Sequence, residues 1–221
     1  MAEWVKKTWA VSEKRFLIMM KLIHITDTHF VPRGKTLFGG DPLKNLERCV
    51  ADINLHYAGA EVCVLTGDLT HWGEPKAYES LKGCLSPLIA PLRVIIGNHD
   101  VRNEMFRWFP EQCLDDNDFF QSAEDFSAGR FLFLDTHEPG KDEGHYCEKR
   151  LDWLERSLAD SGKSSLFLFM HHQPFDPVSL YPGLRGAYDA DMRATPSRPN
   201  ARQPSTARRR CTLRPSWLLL W

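Results

Sequence analysis

Four short apolar segments of this chain each run into residues of the types that bind metal ions. Apolar runs of this length that stop at glycine or polar residues are typical of buried β-strands. Alone, three of the motifs are weak signals and the one after the third strand is a moderate signal, because Asp, Asn and Gly also favour turns. The occurrence of all four in order, each at a strand end, predicts one shared site. The segments are Leu22–Thr26, Val62–Thr66, Leu92–Ile96 and Ser165–Met170, and the residues that follow them are Asp27-Thr28-His29, Gly67-Asp68, Gly97-Asn98-His99-Asp100 and His171-His172.

Helical patterns lie between these strands. Asp41-Pro42 indicates an N-cap followed by proline at the first helical position, and the helix is predicted to reach Tyr57 with an apolar face of Leu43, Leu46, Val50, Ile53 and Leu55. Two more helices are predicted over Pro75–Cys84 and Glu148–Leu158, the latter with Leu151, Leu154 and Leu158 on one face, and an antiparallel pair over Phe119–Ser122 and Arg130–Asp135. Strands that alternate with helices predict an α/β fold with ligand sites beyond the carboxyl ends of parallel strands.

The strand ends carry the donor atoms of a binuclear metal centre. Residues two apart in a strand point the same way, so Asp27 and His29 are expected to address one site. Oxygen and imidazole donors suit Mn, Fe, Zn or Co. Two cations about 3.5–4 Å apart need a bridging carboxylate, for which we choose Asp68, and they lower the pKa of a water towards about 7. Asn98 offers a neutral oxygen ligand, and His99 is placed to bind a phosphate oxygen or protonate the leaving alkoxide.

The motifs D-T-H, G-D-L-T, G-N-H-D and M-H-H-Q-P resemble those of the calcineurin-like metallophosphoesterases. The opening Leu22–Phe30, Gly73-Glu74-Pro75 and Trp153-Leu154 are most similar to the branch of class III cyclic-nucleotide phosphodiesterases and glycerophosphodiesterases. The resemblance covers residues 20–178. It implies a four-layer α/β/β/α sandwich in which two β-sheets pack face to face.

The resemblance also implies the roles of individual residues. Asp27 and His29 would hold one metal ion, Asp68 would bridge, and Asn98 and His171 would hold the second ion. His99 would assist the leaving group or the phosphate. The cofactors would be two divalent or mixed-valence ions of Mn, Fe, Zn or Co. The expected reaction is hydrolysis of phosphate esters by a hydroxide held at the binuclear centre, with small phosphodiesters such as cyclic nucleotides or glycerophosphodiesters as substrates. Related enzymes are often homo-oligomers, so a homo-oligomer is possible here, and the sequence leaves the oligomeric state open.

One family motif has no counterpart in this chain. The family completes its site with G-H-x-H, whereas no histidine follows His172. Each metal is therefore expected to lack a ligand, and the fold is expected to be incomplete at the C-terminus, with an exposed strand edge. We expect a truncation or a shifted reading frame near Gly183. Two alternatives remain open: an inactive remnant that binds metal weakly, and a nuclease of the same superfamily.

Charge divides the chain into regions. We expect an N-terminal extension over residues 1–19, a metallophosphoesterase domain over 20–183, and a disordered Arg/Pro-rich tail over 184–221. From Arg185 onward there are eight Arg and two Asp, whereas the preceding residues hold 20 basic and 27 acidic side chains. The acidic domain disfavours nucleic acid as a partner.

Short apolar runs and isolated cysteines predict a cytoplasmic protein. The run Phe16–Met20 is too short to cross a membrane and lacks a cleavage site for a signal peptide, so no membrane association is expected. Six cysteines without C-x-x-C spacing indicate reduced, largely buried thiols. Of the remaining histidines, His24 is interpreted either as a partner that orients a metal ligand or, the preferred prediction, as a satisfied core residue. His71 is interpreted either as a substrate contact or as an exposed residue without a role.

Overall fold

The computed structural model describes residues 20–112 and 114–174. The predicted N-terminal extension, the tail and the part of the domain after residue 174 lie outside the described residues. The elements in chain order are β1 (Leu22–Ile25), α1 (Pro42–Tyr57), β2 (Val62–Thr66), α2 (Pro75–Leu85), β3 (Leu92–Ile95), α3 (Arg102–Trp108), β4 (Ser122–Phe126), β5 (Gly129–Phe133), α4 (Glu148–Ala159) and β6 (Leu166–Phe169).

The first sheet contains three parallel strands in the order β1-β2-β3. Every residue of the central strand β2 is buried, because helices cover one face of this sheet and the second sheet covers the other. On the helical face, Leu65 of β2 and Val94 of β3 pack with Leu46 of α1, Leu81 of α2 and Met105 of α3. Parallel strands bring their carboxyl ends to the same edge of the sheet, and this places the predicted ligand motifs together.

The second sheet has the order β4-β5-β6, with β4 and β5 antiparallel and β5 and β6 parallel. Phe131 and Phe133 of β5 pack against Val62, Val64 and Ile95 of the first sheet in one buried cluster. The two sheets therefore lie face to face, and the predicted α/β sandwich is confirmed. All four residues of β6 are only partly buried, and among the described residues β6 is an edge strand.

Two local predictions were wrong, and one helix was not predicted. The first strand of the antiparallel pair begins at Ser122, because Asp115 Oδ1 accepts hydrogen bonds from the N–H groups of Asn117 and Phe119 and holds this stretch as a turn. Leu55 is 76% exposed, since it lies two residues, or about 200° around the helix, from buried Ile53. Helix α3 was missed because seven residues are too few to show a helical period.

The local sequence pattern predicts the N-terminus of α1 correctly, but it does not predict which face of α4 is buried. Asp41 caps α1 by accepting the N–H of Lys44 at 3.2 Å, as predicted. In α4, however, Leu151 is 45% exposed and Arg150 is 2% exposed. Arg150 is turned inward because its guanidinium donates to the carbonyl oxygens of Asp135 and His137. A long-range polar partner thus overrides the apolar pattern of this helix.

The cysteines of the described residues agree with the predicted reduced, largely buried thiols. Cys63 and Cys84 are buried, Cys49 and Cys147 are partly buried, and these four are free thiols. Among the described helices, none has the length and apolar composition needed to cross a membrane.

One buried carboxylate joins the loops that follow β2 and β3. Asp100 is 4% exposed, and its Oδ2 accepts the N–H groups of Leu69 and Gly97 at 3.1 and 2.9 Å. Its Oδ1 accepts the N–H of Thr70 at 3.1 Å and the hydroxyl of Tyr78 at 3.0 Å. Burial raises the pKa of Asp100 to about 6, although the four donors act in the opposite direction. Both oxygens are thus fully used in holding the two loops in register.

We predict that Asp100→Asn lowers the free energy of unfolding by about 2–4 kcal/mol. An amide has a single acceptor oxygen, so one pair of donors would face an NH₂ group and stay unsatisfied in the core. Urea unfolding followed by circular dichroism measures the loss. Asp116→Asn, at an exposed position, is the matched control and should change stability by less than about 0.5 kcal/mol. Equal stabilities of the two variants would contradict the prediction.

Candidate metal centre

The first ligand motif lies in a turn rather than in the strand. β1 ends at Ile25, and both Asp27 and His29 have left-handed backbone conformations with φ of 54° and 41°. Strand alternation, the predicted reason for their convergence, is therefore wrong. Left-handed conformations are unfavourable for non-glycine residues and persist only where the surroundings enforce them. Here the N–H of His29 donates to the carbonyl oxygen of Asp68 at 2.9 Å, so the turn is tied to the second motif.

Asp68 occupies the centre of the site and is 4% exposed. It also has a left-handed φ of 50°. Its Oδ2 lies 3.7 Å from Nε2 of His29, and its Oδ1 lies 3.2 Å from Nε2 of His171. The N–H of His99 donates to Oδ1 at 3.0 Å. The two carboxylate oxygens thus face two different imidazoles, which is the arrangement that a bridging ligand requires.

His171 and Asn98 form the second side of the site. Nε2 of His171 lies 3.0 Å from Oδ1 of Asn98. Nδ1 of His171 donates to the carbonyl oxygen of Thr66 at 2.9 Å, which directs Nε2 towards Asn98 and Asp68. Asp27 belongs to the same group, because ligand atoms of Asp27, Asp68 and His171 all lie within 4.8 Å of one another.

The electrostatics of the site favour an ionised Asp68. Burial alone raises its pKa, but the hydrogen bonds from His171 and from the N–H of His99 outweigh burial and lower the pKa. For His171, burial acts to lower the pKa, and the hydrogen bond and charge of Asp68 reverse the shift and raise it. Burial lowers the pKa of His29, against the charge of Asp68. A carboxylate and a neutral imidazole are the forms that bind metal.

His99 lies at the edge of this group. Its Nδ1 donates to the carbonyl oxygen of His71 at 2.7 Å, and its Nε2 lies 4.0 Å from Oδ2 of Asp68. All six predicted site residues are therefore neighbours in the structure. The donor set of two carboxylates, one amide oxygen and two imidazoles fits two divalent transition-metal ions that share Asp68.

Two further histidines, His24 and His71, were also considered from the sequence. The prediction that His24 is a core residue is wrong: in the part of the chain that the structure describes β1 is an edge strand, and His24 is exposed, with Nε2 2.8 Å from Oγ1 of Thr66. His71 lies at the site, with Nδ1 3.3 Å from Nδ1 of His29. The only sequence signal for His71 was its position three residues after Asp68, and no periodicity predicts which neighbour its ring meets.

Gly97 is required by the close approach of the two ligand loops. A Cβ at this position would overlap the backbone nitrogen and the carboxylate of Asp68. We predict that Gly97→Ala displaces Asp68 and weakens metal binding by about 10-fold or more, the effect expected when ligand orientation is lost. Competition with a chelating dye measures the affinity, and circular dichroism confirms that the variant is folded.

The matched control for Gly97→Ala is Gly83→Ala on α2, where an added Cβ meets nothing within 4 Å. Its metal affinity should equal that of the wild type. A folded Gly97→Ala protein with unchanged affinity would show that the contact with Asp68 does not position the ligand.

Comparison with known proteins identifies the family. A family model described as calcineurin-like phosphoesterase matches residues 20–195. A protein of Rhodopseudomonas palustris named as a probable cyclic nucleotide phosphodiesterase is 41% identical over 165 residues, covering 73% of this chain and 60% of that protein. A glycerophosphodiester phosphodiesterase of Enterobacter lignolyticus is 30% identical over 178 residues, covering 75% of this chain and 64% of that protein.

A third relative, the 3',5'-cyclic adenosine monophosphate phosphodiesterase of Pseudomonas aeruginosa, is 29% identical over 167 residues, with 72% of this chain and 60% of that protein covered. The matched part of this chain thus spans roughly three fifths of the length of these relatives. The motifs, the two face-to-face sheets and the family match agree with one another. The chain belongs to the calcineurin-like phosphoesterase family.

Proposed function

We propose that this chain carries the metal centre of a phosphodiesterase that hydrolyses small phosphodiesters, such as cyclic nucleotides or glycerophosphodiesters. The observation that supports this most directly is the position of Asp68, whose two oxygens face His29 on one side and His171 on the other. The names of the relatives support the substrate class, since they include cyclic nucleotide and glycerophosphodiester phosphodiesterases.

The residues divide into two ligand sets that share one carboxylate. Asp27, His29 and Asp68 would hold one ion, and Asp68, Asn98 and His171 would hold the other. The bound ions, of Mn, Fe, Zn or Co, would supply the Lewis acidity that activates a water and neutralises the charge of the phosphate. Thr66 supports this set by accepting the Nδ1 proton of His171, which leaves Nε2 free as a ligand.

We assign to His99 the transfer of a proton to the leaving group. Its Nδ1 proton is held by the carbonyl oxygen of His71, so only Nε2 is available to the substrate. In the imidazolium form Nε2 carries a proton, and His99 would donate it to the leaving alkoxide as the phosphorus–oxygen bond breaks. Nε2 of His99 lies 4.0 Å from Oδ2 of Asp68, so this proton would be held next to the shared ligand, while His99 belongs to neither of the two ligand sets.

Two variants are expected to separate metal binding from proton transfer. The wild type should hold about two metal ions per chain and hydrolyse bis(p-nitrophenyl) phosphate. Asp68→Ala should lose both metal and activity, because the shared ligand is gone. His99→Ala should keep its metal, while kcat falls by about 10²–10⁴-fold. Metal content is measured by inductively coupled plasma mass spectrometry and hydrolysis by release of nitrophenolate.

His56→Ala is the control for the loss of an imidazole, because His56 is an exposed residue of α1 paired with Asp52. It should retain both metal and activity. Much less than one metal ion per chain without hydrolysis would favour the inactive remnant over the enzyme. Hydrolysis of single-stranded DNA in preference to cyclic nucleotides would favour the nuclease. Full activity in Asp68→Ala would overturn the assignment of the site.

A further inference from the structure

His71 lies beside two histidines of the proposed site, His29 and His99, and contacts both. Its ring nitrogen Nδ1 is 3.3 Å from Nδ1 of His29, and its carbonyl oxygen accepts the Nδ1 proton of His99 at 2.7 Å. Its own backbone is anchored, since its N–H donates to the carbonyl oxygen of Phe30 at 3.0 Å and the preceding N–H, of Thr70, is held by Asp100.

The orientation of His29 decides what its contact with His71 does. Nε2 of His29 lies 3.7 Å from Oδ1 of Asp27 and 3.7 Å from Oδ2 of Asp68, so Nε2 faces the carboxylates and Nδ1 faces away from them. A neutral imidazole has one N–H, and a nitrogen that carries the proton cannot bind a metal ion. His29 can therefore use Nε2 as a ligand only when its proton is on Nδ1, the atom beside His71.

We propose that His71 is a positioning residue, whose Nδ1 accepts the Nδ1 proton of His29 and so holds His29 with Nε2 free for the metal. This inference rests on the proposed function, because it assigns a partner to one of the proposed ligands. It requires the proton of His71 to be on its own Nε2. In a histidine that binds a metal ion, the ring nitrogen away from the metal carries a proton. A hydrogen-bond acceptor for this proton fixes the tautomer and the orientation of the ring, and its removal weakens metal binding by about 10–100-fold.

The ring of His71 is itself held in place on several sides. It stacks on the ring of His99 with centroids 5.0 Å apart and 17° between the planes. It makes edge contacts with His29 at 5.2 Å, Trp72 at 4.5 Å and Phe38 at 5.6 Å. These contacts hold the ring of His71 in an orientation in which Nδ1 faces His29. They also define the competing explanation, in which His71 acts only by filling space beside the site.

Two substitutions separate the acceptor from the packing. In His71→Asn, the amide Oδ1 takes nearly the place of Nδ1 and can accept the same proton, although most of the ring is lost. In His71→Leu, apolar volume remains but no acceptor does. Both keep the carbonyl oxygen of residue 71, so the hydrogen bond of His99 is preserved. His56→Leu, at an exposed position of α1, controls for the general effect of replacing an imidazole.

The measurement is the affinity of the full chain for Mn²⁺, obtained from the electron paramagnetic resonance signal of free Mn²⁺. His71→Leu should bind about 10–100-fold more weakly than the wild type, whereas His71→Asn should stay within about 3-fold of it, a change smaller than that range. Urea unfolding should show that both variants are folded. If the leucine variant does not fold, His71→Ala takes its place, because it also removes the acceptor.

Three outcomes would overturn the inference: wild-type affinity in the variant without an acceptor, equal weakening in His71→Asn and His71→Leu, or no Mn²⁺ binding by the wild type. The second would assign His71 to packing. Because the titration needs no turnover, it separates this inference from the proposed function. A chain that binds Mn²⁺ with the expected order of variants but hydrolyses no phosphodiester would support the role of His71 and contradict the phosphodiesterase.

Discussion

The buried carboxylate of Asp100 is the interaction on which the site depends. It accepts four hydrogen bonds, from Leu69, Thr70, Gly97 and Tyr78, and so joins the loop that carries Asp68 to the loop that carries Asn98 and His99. Neither loop is regular secondary structure, and its backbone groups would otherwise face each other without partners. Because the charge is buried among fixed donors, loss of any one of them leaves an unsatisfied group in the core. The metal ligands are thus positioned by an interaction that involves no metal.

Three of the predicted metal ligands at this edge of the sheet have a strained backbone. Asp27, His29 and Asp68 all have left-handed conformations, each of which costs about 1–3 kcal/mol in a non-glycine residue. The hydrogen bonds between the two turns, from Asp27 to Gly67 and from His29 to Asp68, help to offset this cost. The packing of the second sheet against the first contributes the remaining ligand, because β6 brings His171 to a residue 105 positions earlier, Thr66.

His29, His99 and His171 each have a hydrogen-bond acceptor beside Nδ1. Thr66 provides a carbonyl oxygen for His171, and residue 71 provides its carbonyl oxygen for His99 and its ring nitrogen for His29. All three acceptors belong to the last residue of β2 or to the loop that follows it, which also carries Asp68. The segment that provides the central carboxylate therefore also orients the surrounding imidazoles. This common origin explains why the ligand set converges although its members come from four different strand ends.

The sequence by itself predicted the strands of the first sheet, the long helices and six residues that the structure brings together, because these depend on local period, capping and the residue types at strand ends. Tertiary structure decided the rest. It turned Arg150 inward, since the carbonyl oxygen that its guanidinium meets belongs to a residue outside its helix. It left His24 exposed, since β1 lies at the edge of the first sheet among the described residues. Asp27 and His29 converge through left-handed backbone conformations, and not through the alternation of side chains along a strand. The contact of His71 with His29 spans 42 residues, and only the packing of one loop on another determines which ring nitrogens meet.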